Sequence, residues 1–231
     1  MRVLIGYSAC PHTRAAFERN GHEVWTCDLL PARGDTKNHL QTDIMNVVHD
    51  DWDMGIFHPM CTYVNVASAW ALKDPDYEKY PDVGYHQRVK PETLTGKARR
   101  DARDEAIENF RRLLALPYPK AIENPAPSML SKAIRPADQI IHPHQFGDDA
   151  SKSTGLWLDR LPPLEPTKHV APRIVEYKGR PVERWGNQTD SGQNNLSPGP
   201  ERWLLRSATY PGIANAMGDQ WGNPAQYQMA V

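Results

Sequence analysis

The sequence lacks long apolar runs and has few cysteines. No apolar stretch approaches the roughly 18 residues needed to span a bilayer, and the chain starts at Met1 without the layout of a signal peptide. The three cysteines, Cys10, Cys27 and Cys61, have neither disulfide-framework nor metal-site spacing. These absences predict a cytoplasmic protein without a membrane partner.

The sequence also lacks a large excess of charge of either sign. With 27 Lys and Arg against 28 Asp and Glu, the formal net charge is -1, which argues against a protein that coats nucleic acid by bulk electrostatics. A local basic patch is still allowed. A hydrophobic share of 39% is enough for a core, whereas 21 prolines indicate much loop.

Short apolar strands alternate with helical stretches along much of the chain, and helical periodicity is clearest at 97–116 and 211–221. This alternation predicts an α/β fold with a mostly parallel sheet and helices on both faces. We expect one domain over residues 1–231. Two stretches interrupt the pattern: a Pro- and Tyr-rich loop at about 73–96, which could be a lid, and an irregular segment at about 160–205.

The helix predicted at 97–116 combines an apolar stripe with a basic cluster. The stripe, expected to face the core, is Ala98, Ala102, Ala106, Phe110 and Leu113. The basic cluster on the exposed face is Lys97, Arg99, Arg100 and Arg103. Such a cluster is either a solvated face or a phosphate-facing patch.

Reactive polar side chains follow two of the predicted strands. Cys61 comes shortly after the apolar strand that precedes His58, and Glu123 and Asn124 end a later strand. Because ligands bind at the carboxyl ends of strands in an open α/β sheet, we expect the thiol, the carboxyl and the amide to meet there.

Such a trio suits chemistry at C5 of a pyrimidine. A Cys61 thiolate that adds at C6 moves electron density onto C5, if an acid protonates or hydrogen-bonds N3. Glu123 is the candidate acid, with a pKa raised by partial burial, and the Asn124 amide would orient the ring. The C5 atom can then attack an electrophilic methyl group.

Other interpretations of these residues stay open. Free cysteines are most often part of the core, and a strand-end carboxylate can cap a helix. A zinc site is a further alternative, with poor spacing. Its ligands would be His58, Cys61, His142 and His144.

The beginning of the chain predicts a nucleoside-binding unit. A strand ends at Gly6, a helix follows, and the next strand ends on Asp28. In such units the helix start offers free amides and the acid binds ribose hydroxyls. Without a G-x-G-x-x-G motif a dinucleotide is not favoured, and an ordinary βαβ unit remains an alternative.

Together these residues resemble a small cytosine-C5 DNA methyltransferase of the compact, phage-encoded type. Residues 6–9 (Gly-Tyr-Ser-Ala) stand where that family has its first S-adenosylmethionine loop. Residues 59–61 (Pro-Met-Cys) stand at its Pro-Pro-Cys, and residues 123–125 (Glu-Asn-Pro) at its Glu-Asn-Val. Residues 209–217 are similar to its last motif, which returns to the cofactor.

The resemblance implies a Rossmann-like methyltransferase fold, S-adenosyl-L-methionine as the cofactor and cytosine in DNA as the substrate. It implies the host cell cytoplasm as the location if the protein is phage-encoded. The implied catalytic residues are Cys61, Glu123 and Asn124. The implied cofactor-binding residues are Gly6, Tyr7, Ser8, Asp28, Asp43, Ile44 and Pro59.

The chain departs from the family pattern around the thiol. His58 replaces a glycine, Met60 the second proline and Thr62 the usual glutamine. Lys152 and Thr154 are the only candidates for the arginine that steadies the base in the family.

The segment 160–205 stands in place of the family's target-recognition domain. The substrate is therefore open between DNA read with little sequence preference and a free pyrimidine nucleotide. A non-catalytic relative that binds a nucleotide or a protein is an alternative of a different class. The oligomeric state is not predicted.

Overall fold

A seven-stranded sheet forms the centre of the fold. The computed structural model describes residues 1–8, 10–34, 37–197, 199 and 202–223, with only the backbone of Trp203. The strands of this sheet are β1 (Arg2–Gly6), β2 (Glu23–Asp28), β3 (His39–Gln41), β4 (Met54–Phe57), β5 (Lys120–Pro125), β6 (Gln139–Ile141) and β7 (Thr154–Asp159). Their order is β3-β2-β1-β4-β5-β7-β6, and β7 alone among them runs antiparallel to its neighbours.

Helices cover both faces of the sheet. In the described part of the chain they are α1 (Pro11–Arg19), α2 (Gly96–Leu114), α3 (Leu130–Ala133), α4 (Arg202–Ser207) and α5 (Pro211–Trp221). Phe17 of α1 and Met217 of α5 belong to the core on one face, whereas Phe110 of α2 belongs to the core on the other. The predicted α/β class with a mostly parallel sheet is confirmed, and the architecture is compatible with a Rossmann-like fold.

The strand order reverses between β1 and β4, which are neighbours in the sheet although they are distant in sequence. Such a switch point is where open α/β sheets bind ligands, outside the carboxyl ends of the strands. The carboxyl ends of β1, β2, β4, β5 and β6 lie together at one edge, which we call the carboxyl edge. The antiparallel β7 begins there, since Thr154 pairs with Pro125.

The two interrupting stretches differ from each other in structure. Residues 73–95 contain neither helix nor strand, as the predicted loop requires. Within the predicted irregular segment 160–205, however, β8 (Arg173–Tyr177) and β9 (Arg180–Arg184) form a separate hairpin. Positions 198, 200 and 201 of that segment lie outside the described residues.

No helix in the described ranges is both long and apolar enough to cross a membrane.

Candidate active site

The two strand ends that carry Cys61 and Glu123 meet at the carboxyl edge. Because β4 and β5 are parallel with Phe57 opposite Ile122, the next residues along each strand, His58 and Glu123, come side by side. His58 Nδ1 lies 2.8 Å from Glu123 Oε2. Both side chains are nearly buried, with 8% and 12% of their surface exposed.

Glu123 is ionised in this site, which corrects the predicted raised pKa. Burial does act to raise the pKa of this carboxyl, but the charge of Lys152, the hydrogen bond from His58 and the charge of His58 outweigh it and lower the pKa to about 2. The prediction counted burial but not Lys152 and His58, which come from other parts of the chain. Glu123 is therefore a hydrogen-bond acceptor at neutral pH.

The Cys61 thiol is partly buried beside this carboxylate. Burial raises its pKa above the ordinary value, and the negative charge of Glu123 raises it further. The charges of Lys152 and Arg206 oppose both effects. The resting thiol is therefore protonated at neutral pH, and the nearby cations favour the thiolate once a proton acceptor is available.

Lys152 is a cation whose charge acts on both Cys61 and Glu123. It lies in the loop before β7, and its Nζ donates a hydrogen bond to the carbonyl of Arg206 at 3.3 Å. The other candidate, Thr154, is buried and donates its hydroxyl to the Lys152 carbonyl. Of the two, Lys152 is thus the residue whose charge reaches Cys61 and Glu123.

Asn124 is hydrogen-bonded to the loop that carries Cys61, residues 58–65, which we call the thiol loop. It is only 1% exposed, and its Nδ2 donates to the carbonyl of Pro59 at 3.1 Å. Its Oδ1 and His58 Nε2 are buried atoms without a hydrogen-bond partner among the described residues. Asn124 therefore fixes the backbone two residues before Cys61, and two polar atoms remain unsatisfied in the same site.

Arg99 fixes the other side of the thiol loop, a role that the sequence did not indicate. Its guanidinium donates to the carbonyl of Thr62 and, at 2.7 Å, to Ser68 Oγ, and it lies over the Tyr63 ring at 4.8 Å. Arg99 was predicted on the exposed face of the helix, but it is only 4% exposed. The residue after Cys61 is therefore held by a buried guanidinium on α2.

The first predicted cofactor loop, residues 6–9, follows β1 at the carboxyl edge. Ser8 is buried, and its Oγ accepts the N–H of Cys10 at the start of α1. Tyr7 has a left-handed backbone with φ 57°, and its hydroxyl donates to Asn109 Oδ1 on α2 at 3.0 Å. Ala9 lies outside the described residues. These bonds fix the loop between α1 and α2.

Gly6 has a packing reason to be glycine. A Cβ there would lie 2.6 Å from Phe57 Cδ1 and 2.8 Å from Ile44 Cδ1, so no side chain fits. Ile44 is itself only 3% exposed and belongs to the core. Gly6 and Ile44 therefore act through packing at the base of the loop formed by residues 6–9.

The two predicted cofactor acids lie near each other beyond β2. Asp28 ends β2 and accepts the N–H of Leu30 at 2.9 Å, and Asp43 accepts the N–H of Met45 at 2.8 Å. Both carboxylates lie close to the Cys27 thiol. Burial is the main cause that raises the pKa of this thiol to about 11, and the charges of Asp28 and Asp43 raise it further. The structure thus gathers Tyr7, Asp28 and Asp43 around the ends of β1 and β2.

A cavity of about 450 Å³ opens at the same edge, between the start of α1 and the chain that leads into α5. Its walls include His12, Asn187, Leu205 and Tyr210, and His12 Nδ1 lies 2.8 Å from the Thr209 carbonyl. Leu205 directly precedes Arg206, whose carbonyl accepts from Lys152. Cavities of about 300–1,000 Å³ hold small-molecule ligands.

No group of three or more histidine, cysteine or acidic side chains within the described residues has the geometry to hold a metal ion. His58, one of the residues considered for zinc, is instead paired with Glu123.

In comparisons with known proteins, no family model matches the chain and no curated protein is significantly similar to it.

Proposed function

We propose that this protein is an S-adenosylmethionine-dependent methyltransferase that acts on C5 of cytosine in DNA through a covalent Cys61 adduct at C6. The observation that carries the proposal is the meeting of Cys61, Glu123 and Lys152 at the carboxyl edge, beyond the ends of β4 and β5. The resemblance of the residues around Cys61 and Glu123 to cytosine-C5 methyltransferases also supports the proposal. The mostly parallel sheet with one antiparallel strand is consistent with the fold expected of such enzymes.

The residues around the ends of β1 and β2 fit the cofactor. Asp28 would accept hydrogen bonds from ribose hydroxyls, and Asp43 would accept from the adenine amino group. The bonds of Ser8 to Cys10 and of Tyr7 to Asn109 hold the intervening loop in one conformation, so that binding orders little additional backbone. S-adenosylmethionine, when bound, supplies an electrophilic methyl group.

The ionised Glu123 favours cytosine over other pyrimidines. A carboxylate accepts a hydrogen bond from the N4 amino group of cytosine, whereas the O4 atom of thymine or uracil is an acceptor that the carboxylate would repel. His58 occupies Oε2, and Oε1 has no hydrogen-bond partner among the described residues. One oxygen is therefore committed to the protein and the other is left for the base.

Cys61 then acts as the nucleophile. Its thiol loses a proton, the thiolate forms a bond to C6, and the displaced electron pair reaches C5. Lys152 offsets the negative charge that develops on the ring. C5 would then take the methyl group of S-adenosylmethionine, which would leave as S-adenosylhomocysteine. Loss of the C5 proton to water would return the electron pair that breaks the C6–S bond and releases the thiolate.

The experiment combines cofactor binding with product identification. Calorimetry should detect S-adenosylmethionine binding, and labelled cofactor should transfer its methyl group to duplex DNA to give 5-methylcytosine by nucleoside mass spectrometry. Parallel reactions with single-stranded DNA, RNA and free pyrimidine nucleotides would reveal a different substrate. Transfer of another group would appear as a different mass.

Two variants test the covalent step. Cys61→Ala should abolish transfer while cofactor binding persists, and Asp51→Ala, which changes an exposed side chain at the opposite edge of the sheet, should keep transfer. Absence of S-adenosylmethionine binding, or retained turnover in Cys61→Ala, would refute the proposed reaction. Cofactor binding without transfer to any of the substrates would favour a non-catalytic binding module.

A further inference from the structure

The hairpin formed by β8 and β9 stands apart from the rest of the fold. Its two strands pair only with each other, and none of their residues is buried. Ile174 is 63% exposed. Because an isolated two-stranded hairpin is at best marginally stable in water, an arm of this kind needs an anchor at its base.

The anchor connects the hairpin to the carboxyl edge. Trp185, directly after β9, stacks on His144 with ring centroids 4.2 Å apart, and its indole donates to the Val170 carbonyl at 3.1 Å. The Asn187 amide then binds both the N–H and the carbonyl of Ser151, at 2.9 and 3.0 Å. Ser151 precedes Lys152, so the base of the hairpin lies next to the candidate active site.

The two faces of the hairpin have opposite charge. Directly opposed residues of an antiparallel pair share a face, and the register therefore puts three arginines on one face and two glutamates on the other. The basic face has the pairs Arg173–Arg184, Val175–Val182 and Tyr177–Arg180. The acidic face has the pairs Ile174–Glu183 and Glu176–Pro181.

The tip adds a lysine in a strained conformation. Lys178 and Gly179 have φ of 54° and 74°, as a two-residue hairpin turn with positive φ at both positions requires. Asparagine or glycine is favoured at the first of these positions, because it has positive φ, which lysine rarely adopts. The chain therefore has a cation at a turn position where asparagine or glycine would be more stable.

The cations at the tip are the ones available to a partner. Arg173 pairs with Asp190 at 2.5 Å, and Arg184 donates to the Asp190 carbonyl at 3.1 Å, so both brace the hairpin against the following loop. Arg180 makes no hydrogen bond or ion pair to any described residue. The Lys178 ammonium lies over the Tyr177 ring at 5.3 Å.

We propose that the tip of this hairpin, through Lys178 and Arg180, contacts the phosphate backbone of duplex DNA beside the candidate active site. Two cations at a tip can neutralise phosphates, but they cannot read several base pairs. The hairpin is therefore an electrostatic arm that holds DNA with little sequence preference. A β-ribbon also has a width that fits along the major groove, which would bring its tip to the flanking phosphates.

The test measures the affinity for a short fluorescent duplex by anisotropy at a series of salt concentrations. Each lost phosphate contact should reduce the slope of log affinity against log salt by about one, so the double variant Lys178→Asn/Arg180→Gln should reduce it by about two. Lys178→Asn alone should reduce it by about one without lowering the thermal unfolding midpoint, because asparagine suits the turn. The matched control is Glu176→Gln on the acidic face, which should not reduce the slope.

An unchanged slope in the double variant, or an equal reduction in Glu176→Gln, would overturn the inference. Binding of single strands but not of duplex would overturn it as well. The inference rests on the proposed function, since it takes DNA as the substrate, but binding is measured without catalysis. Hairpin-dependent binding without methyl transfer would contradict the proposed reaction alone, and methyl transfer with hairpin-independent binding would contradict the hairpin alone.

Discussion

His58 Nδ1 donates a hydrogen bond to Glu123 Oε2 over 2.8 Å, and the pair joins the ends of two parallel strands. The two residues are 65 positions apart, and only the register of β4 against β5 brings them together. The imidazole orients the carboxylate and helps to keep it ionised. Glu123 is thereby an acceptor with one oxygen, Oε1, that has no hydrogen-bond partner among the described residues.

The depressed pKa makes Glu123 a stabilising residue at neutral pH. The pKa is about 2 in the folded protein against an ordinary value of 4.5, so the stabilisation is present above about pH 4.5 and is lost as the pH falls toward 2. Its size is on the order of 3 kcal/mol. Glu123→Gln should be less stable than the parent by this order in urea unfolding at pH 7, and the difference should narrow below pH 4.5. The exposed control Glu78→Gln should match the parent, and a difference that widens in acid would contradict the assignment.

The Cys61 thiol should respond in opposite directions to its two charged neighbours. Glu123 raises its pKa and Lys152 lowers it, and alkylation by iodoacetamide follows the thiolate fraction. We therefore expect Glu123→Gln to alkylate severalfold faster at neutral pH and Lys152→Gln severalfold slower, measured by mass spectrometry of the Cys61 peptide. Arg160→Gln, which removes a positive charge at the opposite edge of the sheet, is the control. If the alkylation rate changes in the same direction in both variants, the substitutions have displaced the loop that carries Cys61, and the expected charge effect is contradicted.

Arg99 should affect turnover more than stability alone explains. Arg99→Met removes the bonds to Thr62 and Ser68, and a displacement of the nucleophile by about 1 Å can reduce the rate by about a hundredfold. We expect a fall of between about tenfold and a hundredfold in kcat for methyl transfer, with KM for the cofactor little changed, and partial rescue in Arg99→Lys. Lys97→Met, two residues earlier on the exposed side of α2 and 80% exposed, is the control. If activity falls only in proportion to the fraction of unfolded protein, Arg99 stabilises the fold and does not position Cys61.

The elements that the sequence predicted best have strong local signals. α5 spans Pro211–Trp221 as predicted, since a proline at its first position and an inward stripe define it. β2 spans Glu23–Asp28 as predicted. The meeting of Cys61 with Glu123 followed from topology, because parallel strands place their carboxyl ends at one edge.

The features that were missed depend on distant partners or on unusual surfaces. Arg99 lies on the same helical stripe as Ile107 and Phe110, but its charge suggested an outward position, and its partner Thr62 is 37 residues away. The burial of Ala98 was predicted, yet it is exposed. The β8–β9 hairpin has no apolar alternation because neither of its faces is buried. Such a strand pair has no period-2 signal to detect.

Asp28 provides the sharpest test of the cofactor site. If its carboxylate accepts hydrogen bonds from ribose hydroxyls, Asp28→Asn loses a charged acceptor, and such bonds contribute about 1.5–3 kcal/mol. Affinity for S-adenosylmethionine in calorimetry should then fall by about tenfold or more. The fold should persist, because an asparagine oxygen can still accept the N–H of Leu30. The exposed Asp51→Asn, at the opposite edge of the sheet, should bind as the parent does. Unchanged affinity in Asp28→Asn would place any cofactor away from β2, and the cavity between α1 and α5 would then be the site to test.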